Sequence, residues 1–246
     1  MTVLSADDLR AGGVEGQDTT LRIDRLDGER LILDGLGLAR AFFLGDPSSI
    51  ADGSYDSLAG KGERDRITTA DIEAINRTMR ARSSHEAWKP VLDRELPWLA
   101  ALDPELDLID VDEDKWQAAD ATSSVTAALA ATIGAGRGAS VASKVLHLKR
   151  PRLFPVLDGY VASMLGLNTP ESASPERRVE FAGRLLLHLR AQGRANLPQL
   201  HAIRTILTAE CSERPLVRIL DAVIWFSHPA TSVPNATREI AVGIAD

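Results

Sequence analysis

The chain has 246 residues, 44% of them hydrophobic, with a net charge of −7 and a single cysteine, Cys211. This composition suits a water-soluble globular fold with a sizeable core. It excludes an internal disulfide and any zinc or iron–sulfur site held by several thiolates, and its acidity argues against a surface that binds polyanions all over. The segment MTVLSADDLRAGG has neither the basic start nor the apolar run of a leader, and no window approaches the roughly 18 consecutive apolar residues of a membrane span. The expected setting is cytoplasmic, with no membrane partner.

In chain order, Thr19 to Leu33 alternates apolar Leu21 and Ile23 with Arg22 and Asp24, then turns at Asp27-Gly28 and resumes at Leu31, which predicts a β-hairpin. Ala41 to Leu44 suggests a third short strand. Asp46 to Arg66, rich in Gly, Ser and Asp, reads as a long, mobile loop. Its Gly60-Lys61-Gly62 does not make a phosphate loop, because Tyr55 stands where the first glycine belongs and Gly62 where a hydroxyl belongs.

A helix is predicted from Thr69. Thr68 or Thr69 caps it, Ile72, Ile75 and Met79 share its inner face, and Arg77, Arg80 and Arg82 form a solvated outer face. Trp88 to Leu99, broken by Pro90 and Pro97, reads as short helices packed on the core. The acidic run Leu102 to Asp114 opens like a calcium loop at Asp110, Asp112 and Asp114. Lys115 replaces the required glycine and Ala121 the bidentate glutamate, so a solvated acidic loop is expected. Ala118 to Thr132 is helical in composition.

Three more helices follow toward the carboxy terminus: one with Val179, Phe181, Leu185, Leu186 and Leu189, ended by Gly193; one from Leu197 to Leu207; and a nearly all-apolar one from Leu216 to Phe226. After Pro229 a tail with at most a short final helix is expected. The expected fold is mostly α, a helical bundle with a small N-terminal β-hairpin. Its expected organisation is a hairpin-and-loop region over 1–66, a helical domain over 67–230 and a tail over 231–246.

The informative stretch runs from Ile133 to Leu165, IGAGRGASVASKVLHLKRPRLFPVLDGYVASML. Gly134 to Leu157 contains five cations (Arg137, Lys144, Lys149, Arg150 and Arg152) with His147 and no acid, so the rest of the chain carries −7 − 5 = −12. One basic patch on an acidic body suits a protein that meets phosphate on one face. Gly134 and Gly136 lie between helical segments, where glycine permits a tight hairpin, and free amides at the following helix start can bind an anion. A ligand-free glycine cap joining two helices explains the same glycines. Asp158 opens the next helix after Pro155, and capping alone would account for it, at about 1 kcal/mol. Gly138-Ala139-Ser140-Val141-Ala142 fails as a nucleophile elbow because alanine replaces its last glycine, and the five histidines show no metal-ligand spacing. No metal and no cofactor are expected.

With its hairpin GxG, helix, proline-containing loop and LD-x-x-V helix start, this stretch resembles the helix-hairpin-helix DNA glycosylase superfamily. It is also similar, more closely around Ala142 to Asp158, to an uncharacterised actinobacterial family with a recurring ASK-LL-KRPRL-PV-D segment. The glycosylase resemblance implies a helix-hairpin-helix over 122–148 and DNA as partner. It implies that the amides of Gly134, Gly136 and Gly138 hold a phosphate, with Arg137, Lys144, His147, Lys149, Arg150 and Arg152 beside them. It also implies that Asp158 is a catalytic carboxylate acting on a base flipped from the stack. The nucleophilic lysine of bifunctional members is replaced by Gly138 or Ser140, and Lys144 stands one turn later, so the resemblance implies a monofunctional enzyme. A non-catalytic nucleic-acid-binding or protein-interaction module on the same fold is the alternative.

Overall fold

A computed structural model of the protein describes residues 17–45, 55–168, 173–231 and 242–244. The hairpin forms as predicted: β1 (Thr20–Asp24) pairs antiparallel with β2 (Arg30–Asp34), Leu21 opposite Leu33 and Ile23 opposite Leu31. Gly28 supplies the turn with φ 92°. The described part of the tail is a strand rather than a helix. Val242–Ile244 forms β3, antiparallel on β2, so the sheet has three strands in the order β1-β2-β3.

The suggested strand at Ala41 to Leu44 is instead the end of helix α1 (Gly35–Phe43). Two glycines disguise it, yet both have reasons in the packing. Asp34 caps the helix by accepting the Gly37 amide at 2.9 Å. A side chain on Gly35 would come within 2.7 Å of Ile203 Cδ1 and the Thr19 carbonyl.

The other ten helices among the described residues are α2 (Thr69–Met79), α3 (His85–Trp88), α4 (Pro97–Ala100), α5 (Glu113–Ala118), α6 (Ala121–Thr132), α7 (Ala139–Lys149), α8 (Gly159–Met164), α9 (Pro175–Ala195), α10 (Leu197–Glu210) and α11 (Leu216–Ser227). Gly193 does not end α9. The helix continues past it because the bare glycine admits Ile109, whose Cδ1 would lie 2.5 Å from an added Cβ. At α2 the expected cap is a reciprocal one: the Thr68 amide donates to the Asp71 carboxylate at 2.7 Å.

One continuous buried cluster joins the sheet to the helices. Burying a leucine or isoleucine contributes about 1.5–3 kcal/mol, so α11, with Leu216, Ile219, Leu220 and Ile224 all inside, anchors the bundle. Polar side chains fix the sheet on α9 and its end. Asn196 accepts from the Arg22 amide at 2.8 Å and donates to the Arg22 carbonyl at 2.9 Å, and Gln192 accepts from the Asp24 amide at 2.8 Å.

The stretch read as a mobile loop divides. Residues 46–54 lie outside the described residues, and 55–66 are tied down. The buried Tyr55 hydroxyl donates to the Lys144 carbonyl at 2.6 Å, Asp56 pairs with Arg218, and the Gly60 amide donates to the Leu148 carbonyl at 2.8 Å. Among the described residues no helix is long and apolar enough to cross a membrane, and no group of His, Cys, Asp or Glu is placed to hold a metal ion.

Candidate functional site

Helix α6 ends at Thr132, and after Ile133 the chain reverses through a two-residue turn. Gly134 and Arg137 exchange backbone hydrogen bonds of 2.9 and 3.0 Å, and Gly136 sits in the left-handed region at φ 70°. That is the third position of a type II turn, where glycine is favoured. The turn packs against α3, since a Cβ on Gly136 would lie 3.0 Å from Ala87 Cβ. Gly136→Ala is therefore expected to destabilise the fold by about 1–2 kcal/mol, the cost of a left-handed non-glycine residue. A thermal melt indistinguishable from wild type would show that the turn can relax.

The predicted phosphate ligands do not form one site under the fold, and only His147 and Arg152 share a cavity. The Gly134 amide is committed to the Arg137 carbonyl, whereas the Gly136 and Gly138 amides take no backbone partner among the described residues. Arg137 is 6% exposed, donates to the Ala87 carbonyl at 2.8 Å and lies over the Trp88 ring. His147 is 1% exposed, its Nδ1 2.7 Å from the Phe154 carbonyl, and burial holds it neutral with its pKa down to about 4. Lys149, 3% exposed, pairs with the Asp71 carboxylate at 2.5 Å and donates to the Glu63 carbonyl at 2.8 Å. Arg150, 1% exposed, donates to the carbonyls of Leu99, Leu102 and Arg64 at 2.6–3.0 Å and to Asp65 at 2.7 Å.

These four side chains correct the reading of a surface patch. Lys149 and Arg150 have their donors committed to carbonyls and carboxylates, His147 is buried and neutral, and Arg137 is buried over Trp88 with its Nε left without a partner. Reversing the charges at Lys149 and Arg150 would unfold the chain before it reported on binding. Arg152 is half-buried on a separate polar cavity of about 200 Å³ that also meets Arg204 and Arg214. Of the predicted cations, Lys144 alone meets Asp158.

The approach to Asp158 is built by two side chains from elsewhere. Ser143 Oγ accepts from the Leu157 amide at 2.9 Å, and Asp221 of α11 accepts from the Val156 amide at 2.6 Å. This fixes the strand-like segment that delivers Asp158 to the head of α8. There Asp158 Oδ1 accepts from the amides of Tyr160 at 2.9 Å and Val161 at 3.0 Å, so the capping role is real.

The carboxylate also lines a cavity of about 160 Å³. A cavity of about 150 Å³ can hold a benzene ring, so this one admits a single planar heterocycle. Its walls come from five elements: Phe42 of α1, Met79 of α2, Lys144 of α7, Tyr160 beside Asp158 on α8, and Arg218, Asp221 and Trp225 of α11. Burial pushes the Asp158 carboxyl above the usual aspartate value, against the pull of the Val161 amide and the Lys144 ammonium. Burial likewise lowers the pKa of Lys144, while Asp158 opposes that shift.

Behind the cavity, Arg218 pairs with Asp56 at 2.6 Å and with Asp221, all three buried. Burial raises Asp221 to about 7, whereas the Arg218 guanidinium brings Asp56 below its ordinary value despite burial.

Beyond Met79 the chain leaves α2 through two left-handed arginines, Arg80 at φ 48° and Arg82 at φ 52°. Such φ values are uncommon outside glycine and persist where surroundings hold them. Asn76 holds this segment, donating to the Ser83 carbonyl and accepting its amide, both at 2.8 Å, and Ser83 Oγ accepts from Trp88 Nε1 at 2.7 Å. Arg77, Arg80 and Arg82 are exposed and form no ion pair among the described residues. All three are solvated as expected, but only Arg77 lies on the helix, since Arg80 is its left-handed cap and Arg82 follows it, so they do not share one helix face.

A family of unknown function (DUF6308) matches residues 36–228. The chain belongs to that family. The match spans every cavity-lining residue, from Phe42 to Trp225, and ends on His228. No curated protein and no solved structure matches the chain.

Sequence pattern alone gives no site role to Phe42, Met79, Tyr160, Arg218, Asp221 or Trp225. Only Arg218 and Asp221 carried a signal: two opposite charges three residues apart within an otherwise apolar helix cannot both face solvent if the helix is buried, so they must be paired inside.

Proposed function

We propose that the protein binds nucleic acid and excises a base by hydrolysis, with Asp158 as the catalytic carboxylate and DNA as the expected substrate. The observation that carries this reading is the Asp158 carboxylate, desolvated at the wall of an aromatic cavity sized for one ring. A base rotated out of the stack would enter between Phe42, Trp225 and Met79. Asp158 then takes a proton from water as the water oxygen bonds to the sugar C1′. The C1′–N bond breaks, and the base leaves with its electron pair and acquires a proton. The carboxylate also stabilises positive charge developing at the sugar.

Phosphate binding is assigned to Arg77, Arg80 and Arg82 and to the Gly136 and Gly138 amides, in place of the buried cations. Duplexes carrying deaminated, oxidised or alkylated bases should yield abasic sites with this protein. Changing the three arginines to glutamine is expected to lower the slope of log binding constant against log salt by about 2–3, near 0.9 for each phosphate that is no longer neutralised. An unchanged slope would remove this face from the interface.

A second reading rests on Lys144. Its sequence position does not match the lysine of bifunctional glycosylases, yet its amine lines the same cavity with a lowered pKa. An amine held less basic is a competent nucleophile. Hydrolysis by water predicts no covalent product on borohydride treatment. A trapped adduct that disappears in Lys144→Gln would replace water with the amine.

A further inference from the structure

Tyr160 is the one aromatic among the large hydrophobic side chains that remain exposed in the described residues, at 39%. Helix capping does not require it, because Asp158 is bonded to the Tyr160 amide, which any residue but proline would supply. Single exposed aromatics are common on protein surfaces, and what sets this one apart is its place beside the cavity. The ring lies at the cavity wall and stacks on His228, with centroids 4.4 Å apart and planes 24° from parallel. His228 is itself set by its surroundings: the Ala230 amide donates to its Nδ1 at 3.1 Å, and the Thr231 amide donates to its carbonyl at 3.0 Å. Trp225 supports the pair from within the cavity, 6.1 Å from Tyr160.

The same Tyr160 amide that holds Asp158 ties the ring's backbone to the carboxylate. A planar group lying on the exposed ring is therefore held at a fixed offset from a ring occupying the cavity. Arg77, Arg80 and Arg82 are exposed within three residues of Met79, which lines the cavity, and offer positive charge that a nucleic-acid backbone can meet.

We propose that Tyr160, backed by His228, is a stacking platform at the cavity mouth for the nucleobase next to the one that enters the cavity. The proposal rests on the base-excising reading and names a specific interaction within it. The ligand is the π-face of a base beside a gap in the stack, so the platform is tolerant of base identity.

The probe is a short duplex with 2-aminopurine beside a tetrahydrofuran abasic analogue, which supplies the gap without any need for excision. Binding of the full-length protein is expected to quench the 2-aminopurine. Tyr160→Ala and Tyr160→Leu should abolish the quench and weaken binding about tenfold, within the range measured for loss of one base–aromatic stack. Tyr160→Phe should retain both signals, and binding of each variant is measured below its own melting temperature, so that loss of the platform is read apart from loss of the stack on His228. Binding without a quench, or a quench that survives in Tyr160→Leu, overturns the platform while leaving the excision assay to judge the enzyme. A Tyr160-dependent quench without abasic product from any damaged duplex upholds the platform and overturns the base-excising reading. Failure to bind the probe at all overturns the platform.

Discussion

Asp158→Asn is expected to reduce base excision by at least about a hundredfold while leaving the fold intact. Asparagine caps helices as well as aspartate does, so the bonds from the Tyr160 and Val161 amides survive. Only the negative charge and the proton-accepting capacity disappear, and positioned proton transfer contributes roughly 10²–10⁴ in rate.

The substitution therefore separates capping from chemistry, which in the wild type reside in one side chain. Its stability effect has a definite sign. The folded-state pKa of Asp158 is raised, so ionisation costs stability that is present below the ordinary carboxylate pKa and lost as pH rises through the folded value. A neutral side chain removes that cost, and at neutral pH the variant should melt no lower than wild type apart from what Lys144 loses. The same raised pKa moves the acid limb of the wild-type activity profile upward, toward neutrality. Equal abasic product from both proteins would remove Asp158 from the mechanism, and a large drop in melting temperature would mean that its charge is structural.

Arg218→Met is expected to lower folding stability by about 3–5 kcal/mol, the cost of stranding a buried charge. One guanidinium serves both Asp56 and Asp221, and all three side chains are buried. Without it both carboxylates lose their counter-charge and their pKa values rise. The folded state then holds protons more tightly than the unfolded state, so the deficit deepens as pH increases. Denaturant unfolding in mildly acid and mildly alkaline buffer would measure both effects. Adding Asp56→Asn and Asp221→Asn should recover much of the loss, since the cost lies in the unpaired charge rather than in missing volume. A loss below about 1 kcal/mol would mean that water reaches the trio. Because Asp221 also holds the Val156 amide two residues before Asp158, excision should fall in Arg218→Met even where the protein remains folded.

Periodicity and turn chemistry exposed much of the scaffold. The hairpin at Asp27-Gly28, the inner face of α2, the tight turn after α6 and the three closing helices all follow from interactions between residues a few positions apart. Most of the failures turn on residues far away in the chain, the Asp34 cap on Gly37 being the local exception. Gly35, Gly37 and Gly193 resemble helix breakers until Asp34, Ile203 and Ile109 account for them. β3 acquires its conformation from β2, over two hundred residues earlier in the chain.

The basic stretch divides along the same line. By itself the sequence determined that five cations would fall between the tight turn after α6 and the segment leading to α8, and that Asp158 would head that helix, because capping and turn geometry act locally. Tertiary structure alone decided which charges reach water. Apart from the neighbouring Lys149 carbonyl, the carbonyls that bind Lys149 and Arg150 come from residues 48 to 86 positions away, and nothing in a local window indicates that those carbonyls will be left needing donors. The cavity that gives Asp158 a second role is likewise assembled from α1, α2, α7, α8 and α11, and exists only once burial of their apolar faces has brought those five helices together.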